Sequence, residues 1–522
     1  MKKRQFILII KFLTLAICLL FLFLHFLYIR PWILDDAFIS FRYAKNLAEG
    51  FGLVFNPSDT PVEGYTNFLW IIILSLGHKL GFNIVTLSQV LGYLFAIGTI
   101  LIILFVKWTK KITPPIQIAS ALILSSSGAF TVWGASGMET SLFIFLFTLC
   151  LLLFVRILER NLSKRRPKSL IRLSFLIALL ALTRPEGYLV FIVFGLLVFT
   201  FKVLNKRNIA TKELVCYLLP FLIVVAAQIV FRLVYYNDVL PNTFYNKVGS
   251  GSDQYLRGLR YTKDFIVASL PLVFFSAITL LLSSKKRWED NPILFASFAV
   301  LVPYSAYVIF VGGDVMPAYR FYSPLVPILA ILAVSGIHKS AMKINSRLHI
   351  SKQLEISTFS FIVALALAFN IWQWKYEAEI NKHLKGDMVA QEGKETGLWL
   401  KENFDADTVV ATNTAGTIPF YSGFRTIDML GLNDKHIAKR DMPDIGKGFP
   451  GHEKTDGDYI LKQNPDIIIF GSSLGSEMPI FISDKELQQK KEFQEKYELK
   501  KFMLPSGQEL ILYLRQQGEN YT

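Results

Sequence analysis

Long apolar stretches divided by short basic segments fill the first 374 residues, and beyond Trp374 that pattern stops. A membrane-crossing helix needs roughly 20 apolar residues. By that measure spans are predicted near residues 6–28, 84–106, 116–133, 138–158, 171–183, 187–204, 213–235, 265–283, 292–311, 321–338 and 354–374, about eleven in all. The first is long and lacks a small-residue cleavage site, so it is expected to remain as an anchor in spite of its basic start, Lys2-Lys3-Arg4. Phe68 to Leu76 is also apolar, but counting it as a span would turn every basic loop to the opposite side; it is expected to be a short interfacial or re-entrant helix.

After Trp374 helical and extended patterns alternate: Thr396 to Glu402 and Gly457 to Lys462 read as helices, and Thr408 to Ala411, Asp466 to Phe470 and Glu509 to Leu514 as strands. The expected fold class is therefore a mainly α polytopic membrane protein with a small C-terminal α/β domain. Residues 1–374 would form the transmembrane domain, with 30–83 its first outer loop, and residues 375–522 a soluble domain. Gly249-Ser250-Gly251-Ser252 reads as a flexible loop.

Composition agrees with the pattern. Of the 522 residues 52% are hydrophobic, and the mean hydropathy is +0.42. The net charge of +15 invites a nucleic-acid reading until it is divided along the chain. Residues 375–522 carry 19 Lys and Arg against 24 Asp and Glu, so the positive excess belongs to the apolar part. Basic residues flanking membrane spans follow the positive-inside rule. With the N-terminus in the cytoplasm, the inside loops hold 21 basic residues and the outside loops 9, which places residues 375–522 in the periplasm of a bacterial inner-membrane protein. The three cysteines, Cys18, Cys150 and Cys216, lie in apolar runs, which argues against a disulfide framework, a zinc site or a thiol nucleophile.

The first outer loop carries the chemistry. In Leu34 to Leu47, a helical period puts Ala37, Phe41, Ala44 and Ala48 on one stripe and Asp35, Arg42 and Asn46 opposite. Asp35 and Asp36 stand at the N-terminus of this helix, directly after a span. Carboxylates there cap a helix and complement its dipole. Two adjacent ones exceed what capping needs, so one is a candidate general base or metal ligand at the membrane surface.

The string from Asp35-Asp36-Ala37-Phe38 to Arg42-Tyr43-Ala44, followed by Val62-Glu63-Gly64-Tyr65-Thr66-Asn67, resembles the GT-C superfamily of membrane glycosyltransferases, and within it the mycobacterial-type terminal arabinofuranosyltransferases. Further pieces recur in order: Gly137-Met138-Glu139-Thr140, Arg184-Pro185-Glu186-Gly187, Leu240-Pro241-Asn242-Thr243, Gly312-Gly313-Asp314 and Gly451-His452-Glu453. The resemblance implies a GT-C fold and transfer of a sugar from a polyprenyl-phosphate donor to a cell-envelope glycan or lipid-linked acceptor. Membrane lipids are implied as surroundings, no nucleic acid is a partner, and room is left for a divalent cation.

An inverting transfer needs a base for the acceptor hydroxyl and positive charge for the departing phosphate. Asp35 or Asp36 suits the first role. Arg42, Arg184, Lys247 and Arg320, on the side where basic residues are scarce, are expected at the donor, each against a reading as a headgroup-contacting side chain. Arg184 has the stronger case: its leading leg, 171–183, would rise only about 20 Å and leave the Arg184–Glu186 tip below the outer surface, where ionisable groups require a polar cavity. A structural Arg184–Glu186 pair is the competing explanation. Glu63, Glu139, Glu186 and Asp314 are expected to line the same donor site, with Asn242 and Tyr245 hydrogen-bonding its sugar or phosphate. In the C-terminal domain Asp428, Asp434, His436 and His452 cluster around turns and are expected either to bind the acceptor or to serve the structure of those turns. Asp405-Ala-Asp407 and Asp456-Gly-Asp458 imitate a metal clamp of nucleotide-sugar enzymes but read as solvated turns, and no phosphate-binding glycine loop occurs. A transporter or lipid flippase is the alternative; its sites would lie near the midplane between repeated halves, and no repeat is visible.

Overall fold

The computed structural model describes residues 2–29, 33–159, 167–204, 211–247, 251–283, 291–348, 351–382, 388–442, 445 and 447–516. Gly249 and Ser250 of the expected flexible loop, and Lys285, Lys286 and Arg287 of one basic loop, lie outside these. The chain forms two compact units whose composition differs from the expected ranges. The first takes Met1–Pro31, Gln89–Ala227 and Arg257–His383; the second gathers Trp32–Ser88 and Gln228–Leu256 with Leu384–Thr522.

Among the described residues seven helices are long and apolar enough to cross a membrane, or up to nine if each of two bent pairs counts as one span. The difference from the eleven expected is the pair at 171–183 and 187–204. They fold as Pro167–Thr183, of 17 residues, and Glu186–Leu204, of 19, of which Glu186–Val198 counts among the described residues as a shorter apolar helix. The bent pairs are Pro114–Ser125 with Gly128–Gly134, at 76°, and Ser252–Ala268 with Leu270–Leu281, at 88°. The second break falls where Pro271 enters the first turn of the following helix, a position that tolerates its missing N–H but disfavours a helical residue before it. Large apolar side chains point outward from these helices, Leu281 being 82% and Val302 67% exposed, as lipid-facing surfaces require. The molecule is thus a polytopic, mainly helical membrane protein.

The second unit contains the helix Asp35–Ala48, the short apolar helix Phe68–Lys79 expected from the sequence, and a five-stranded sheet. Its strands are β1 (Val409–Thr412), β2 (Arg425–Asp428), β3 (Ile467–Ile469), β4 (Tyr497–Met503) and β5 (Glu509–Arg515), in spatial order β2-β1-β3-β5-β4. The first three are parallel, with Val410 opposite both Thr426 and Ile467, and β5 runs antiparallel to β3 and β4. Successive residues face opposite ways along a strand. Accordingly Val410, Ile467 and Ile469 join Leu400, Ile418 and Leu512 in one apolar core, while Ala411 and Ile468 join Ile437, Ile460, Phe470 and Phe493 in the other. The expected helix at 457–462 and the three expected strands are present; β2 and β4 were not anticipated.

Candidate functional site

The two adjacent carboxylates have different surroundings. Asp35 accepts hydrogen bonds from the Gly416 N–H (3.1 Å), the Thr417 N–H (2.7 Å) and the Thr417 hydroxyl (2.5 Å), so it caps the helix Thr417–Ser422 rather than only its own. A Cβ at residue 416 would collide with the carbonyl and carboxylate of Asp35, which is why the backbone there is glycine. Asp36, half-buried, instead shares an electrostatic neighbourhood with His452 and Lys247. Burial lowers the pKa of His452; Asp36 opposes that shift and Lys247 reinforces it. The imidazole stacks on Phe481 with centroids 5.6 Å apart, and its Nδ1 lies 3.4 Å from the Pro450 carbonyl. Gly451, at φ +84°, lets the turn press against the Lys247 side chain, whose Cε would stand 3.0 Å from any added Cβ. Lys247 makes no ion pair among the described residues. Beside it the buried Asn246 donates to the Leu430 carbonyl (2.7 Å), while its own oxygen has no partner.

Arg42 and Asn46 are buried, not exposed on a polar face. The Arg42 guanidinium donates to the carbonyls of Phe55 (2.6 Å), Pro419 and Phe424 (2.8 Å) and to Asn56 Oδ1 (3.0 Å), so every nitrogen is committed to holding the first loop to residues 419–424. Burial pulls its pKa down to about 10. That geometry is a staple and leaves no nitrogen for a donor phosphate. Glu63 is likewise engaged: it accepts from Arg232 at 2.7 to 3.0 Å, and its backbone carbonyl accepts the Asn242 N–H (2.9 Å). Burial raises the Glu63 pKa, and Arg232 opposes the shift. Sequence reasoning missed Arg232; an arginine inside the apolar run Gln228 to Tyr236 was the available signal.

Asn242 donates to the carbonyls of Gly431 (3.0 Å), Leu432 (2.9 Å) and Asp434 (3.1 Å), and Tyr245 to Asp238 (2.7 Å). Asp428, expected to bind an acceptor, is buried and accepts from the N–H groups of Leu430 (3.1 Å), Gly431 (3.2 Å) and Asn433 (2.8 Å), which folds the loop after β2. Asp434 caps the helix Lys435–Lys439 through His436 (2.9 Å) and Ile437 (3.0 Å). Of the four expected acceptor ligands, these two have organising roles, and His436 and His452 keep side chains outside such turns. Asp405, Asp407, Asp456 and Asp458 form no metal-ligating group; no cluster of three or more such side chains occurs among the described residues.

In the first unit Arg184 lies between two carboxylates. Its Nη1 donates to Glu139 (3.0 Å) and its Nη2 to Glu186 (2.7 Å), all three side chains being buried. Phe143 and Phe321 flank the guanidinium, with centroids 5.8 and 5.2 Å away. The expected pairing with Glu186 is thus present, with Glu139 added. Arg320 forks onto Asp314 at 2.6 and 3.1 Å.

Comparison with known proteins agrees with this architecture. Residues 378–520 match a family model described as Domain of unknown function (DUF8728). The chain is 26% identical over 339 residues to the terminal beta-(1->2)-arabinofuranosyltransferase of Mycobacterium tuberculosis, covering 59% of this chain and 52% of that one; it therefore aligns to about half the length of that relative. It superposes on ArnT from Cupriavidus metallidurans, solved bound to undecaprenyl phosphate, with a TM-score of 0.50 and 14% identity, over 80% of this chain and 85% of that one. The oligosaccharyltransferase of Archaeoglobus fulgidus aligns with a TM-score of 0.49 and 14% identity, over 79% of this chain and 62% of that one.

Proposed function

We propose that this chain, which has the GT-C fold, is a glycosyltransferase that moves a sugar from a polyprenyl-phosphate donor to a cell-envelope glycan or lipid-linked acceptor. The reading places the N-terminus in the cytoplasm and the second unit on the outer face of the bacterial inner membrane, supported by the excess of basic residues in the loops assigned to the inside. Its fold is that of a protein solved with undecaprenyl phosphate, and its sequence is similar to an arabinofuranosyltransferase.

The observation that carries the mechanism is the unequal treatment of Asp35 and Asp36. A carboxylate that accepts three hydrogen bonds is stabilised as the anion and is a poor base. Asp36, one residue on, is left to take the proton of an acceptor hydroxyl as the sugar's bond to phosphate breaks. Lys247, without a carboxylate partner among the described residues, supplies positive charge for the departing phosphate, which remains on the polyprenol. His452 holds the neighbourhood of Asp36 in place through its stack on Phe481.

The test is transfer in vitro from polyprenyl-phosphate pentoses and hexoses. Asp36→Asn should lower turnover by roughly 10²- to 10⁴-fold with little change in melting temperature. Asp35→Asn should chiefly lower stability, by about 1 to 3 kcal/mol, because it weakens a charge-assisted cap. Full turnover by Asp36→Asn would return the base to another residue.

A further inference from the structure

A second feature of the outer unit is unused by that mechanism. Lys435, His436, Lys439, Arg440 and Asp456 line an open concavity of about 430 Å³, a size within the range of small-molecule sites. The half-exposed His436 ring lies flat on Tyr459, with centroids 4.1 Å apart and planes 15° off parallel, and its Nε2 is 2.9 Å from Asp456. Asp456 is itself fixed by accepting the Tyr459 N–H at 3.0 Å. One face of the imidazole is therefore covered and its orientation is set from two directions.

The cations around it are all paired. Asp238 pairs with Lys435 (3.5 Å) and Lys439 (2.5 Å), Glu486 with Arg440 (3.0 Å), and Asp456 approaches Arg440 Nε at 3.9 Å. Asp434, which accepts the Tyr459 hydroxyl at 3.0 Å, adds a fourth carboxylate beside the stack. Three cations thus face four carboxylates, and an anion would have to break the existing pairs to bind. Hydrogen-bonding capacity nevertheless remains, because an ammonium has three N–H groups and a guanidinium five, and a carboxylate oxygen can accept more than one bond. An aromatic ring surrounded by many donors and acceptors without excess positive charge suits a neutral polyol: C–H groups pack on the ring and vicinal hydroxyls bridge the charged side chains.

We propose that this concavity is a subsite for a neutral, hydroxyl-rich sugar of the acceptor glycan, with His436 as its platform. The proposal rests on the transferase reading for the word acceptor, but sugar binding there can be measured without turnover. The full chain in lipid nanodiscs would be titrated with a neutral pentofuranoside trisaccharide, a neutral hexopyranoside trisaccharide, and the first of these carrying a phosphate monoester. At least one neutral trisaccharide should bind, and the phosphate should bring no tightening. His436→Ala should weaken binding by about tenfold, the scale of one lost ring contact, whereas His436→Phe, which keeps a ring on Tyr459, should stay within about threefold of wild type. Lys439→Gln, at an exposed position, provides a variant with little risk to folding and should weaken binding by about threefold. Asp36→Asn should bind as wild type, so failure of the subsite and failure of the mechanism are separable. Binding by neither neutral sugar, undiminished binding by His436→Ala and Lys439→Gln, or a tenfold preference for the phosphate would overturn it.

Discussion

Arg184 and Arg42 are both buried arginines, yet the first unit surrounds one with carboxylates and the second surrounds the other with carbonyl oxygens. Arg184 with Glu139 and Glu186 is a cluster of formal charge −1; Arg42 keeps its +1 and is hydrogen-bonded to dipoles, with Asp59 acting on it only from a distance. The difference separates two ways of keeping charge out of water. Ion pairing offsets a large desolvation cost with an equally large attraction, so the balance is lost when one partner goes. Dipolar solvation by fixed carbonyls has no opposite charge to strand, and what it fixes is the position of the backbone that supplies the oxygens.

The contrast can be broken most severely at Arg184. Arg184→Met leaves two buried carboxylates facing each other and should cost about 3 to 5 kcal/mol in stability, read as a fall in melting temperature in detergent. Arg184→Met with Glu186→Leu should recover part of the loss. Because both carboxylates already occupy the guanidinium, Arg184→Gln should change the affinity for a short-chain polyprenyl phosphate by less than about twofold; a loss of about 1.5 to 3 kcal/mol would instead make Arg184 a phosphate ligand. Arg42→Met should cost less, about 1 to 3 kcal/mol, since each oxygen it leaves keeps another donor and no charge is stranded. A loss at Arg42 equal to that at Arg184 would erase the distinction.

The smallest effect concerns pH. Burial pushes the Asp238 carboxyl up, but hydrogen bonds from Lys439 and Tyr245 and the charges of Lys439 and Lys435 outweigh it and hold the group from its ordinary 3.8 down to about 2. A carboxylate with a depressed folded pKa stabilises the fold above its unfolded pKa, and the contribution is lost as pH falls through the folded one. Melting temperature should therefore drop between about pH 4 and pH 2, and Asp238→Asn should flatten that part of the profile. An unchanged profile in the variant would mean that other carboxylates govern it.

The helices and most of the sheet were legible because they follow from local periodicity: the apolar stretches near 84–106 and 292–311, and the β-branched run Ile467–Ile469, have no other low-energy arrangement. The elements missed are those whose sequence gives a mixed signal. β2 is only Arg-Thr-Ile-Asp, and β4 carries Glu498, Lys500 and Lys501 because this edge strand meets solvent on one face at 498 and 500 and on the other by 501. At the site, the pattern identified the correct helix and stripe, but its polar face was expected outside. Arg42 and Asn46 are buried because residues 419–424 pack there, and a contact spanning 377 positions leaves no trace in a local period. The same distance hid the hydrogen bonds that set Asp35 apart from Asp36, since Gly416 and Thr417 supply the donors.

The first loop holds residues 416–424 in two ways: hydrogen bonds that fall mostly on main-chain atoms, the amides of 416 and 417 on Asp35 and the carbonyls of 419 and 424 on Arg42, and ring contacts of Phe38 and Phe41 with Phe420 and Tyr421. The hydrogen bonds to the main chain do not read side chains, whereas Thr417 and the rings at 420 and 421 are read directly. The gripped segment can therefore drift in sequence at its other positions while the contact persists, with glycine at 416 held by the space it needs. A graft of residues 416–424 from a distant relative that keeps those four letters should seat on this loop without redesign.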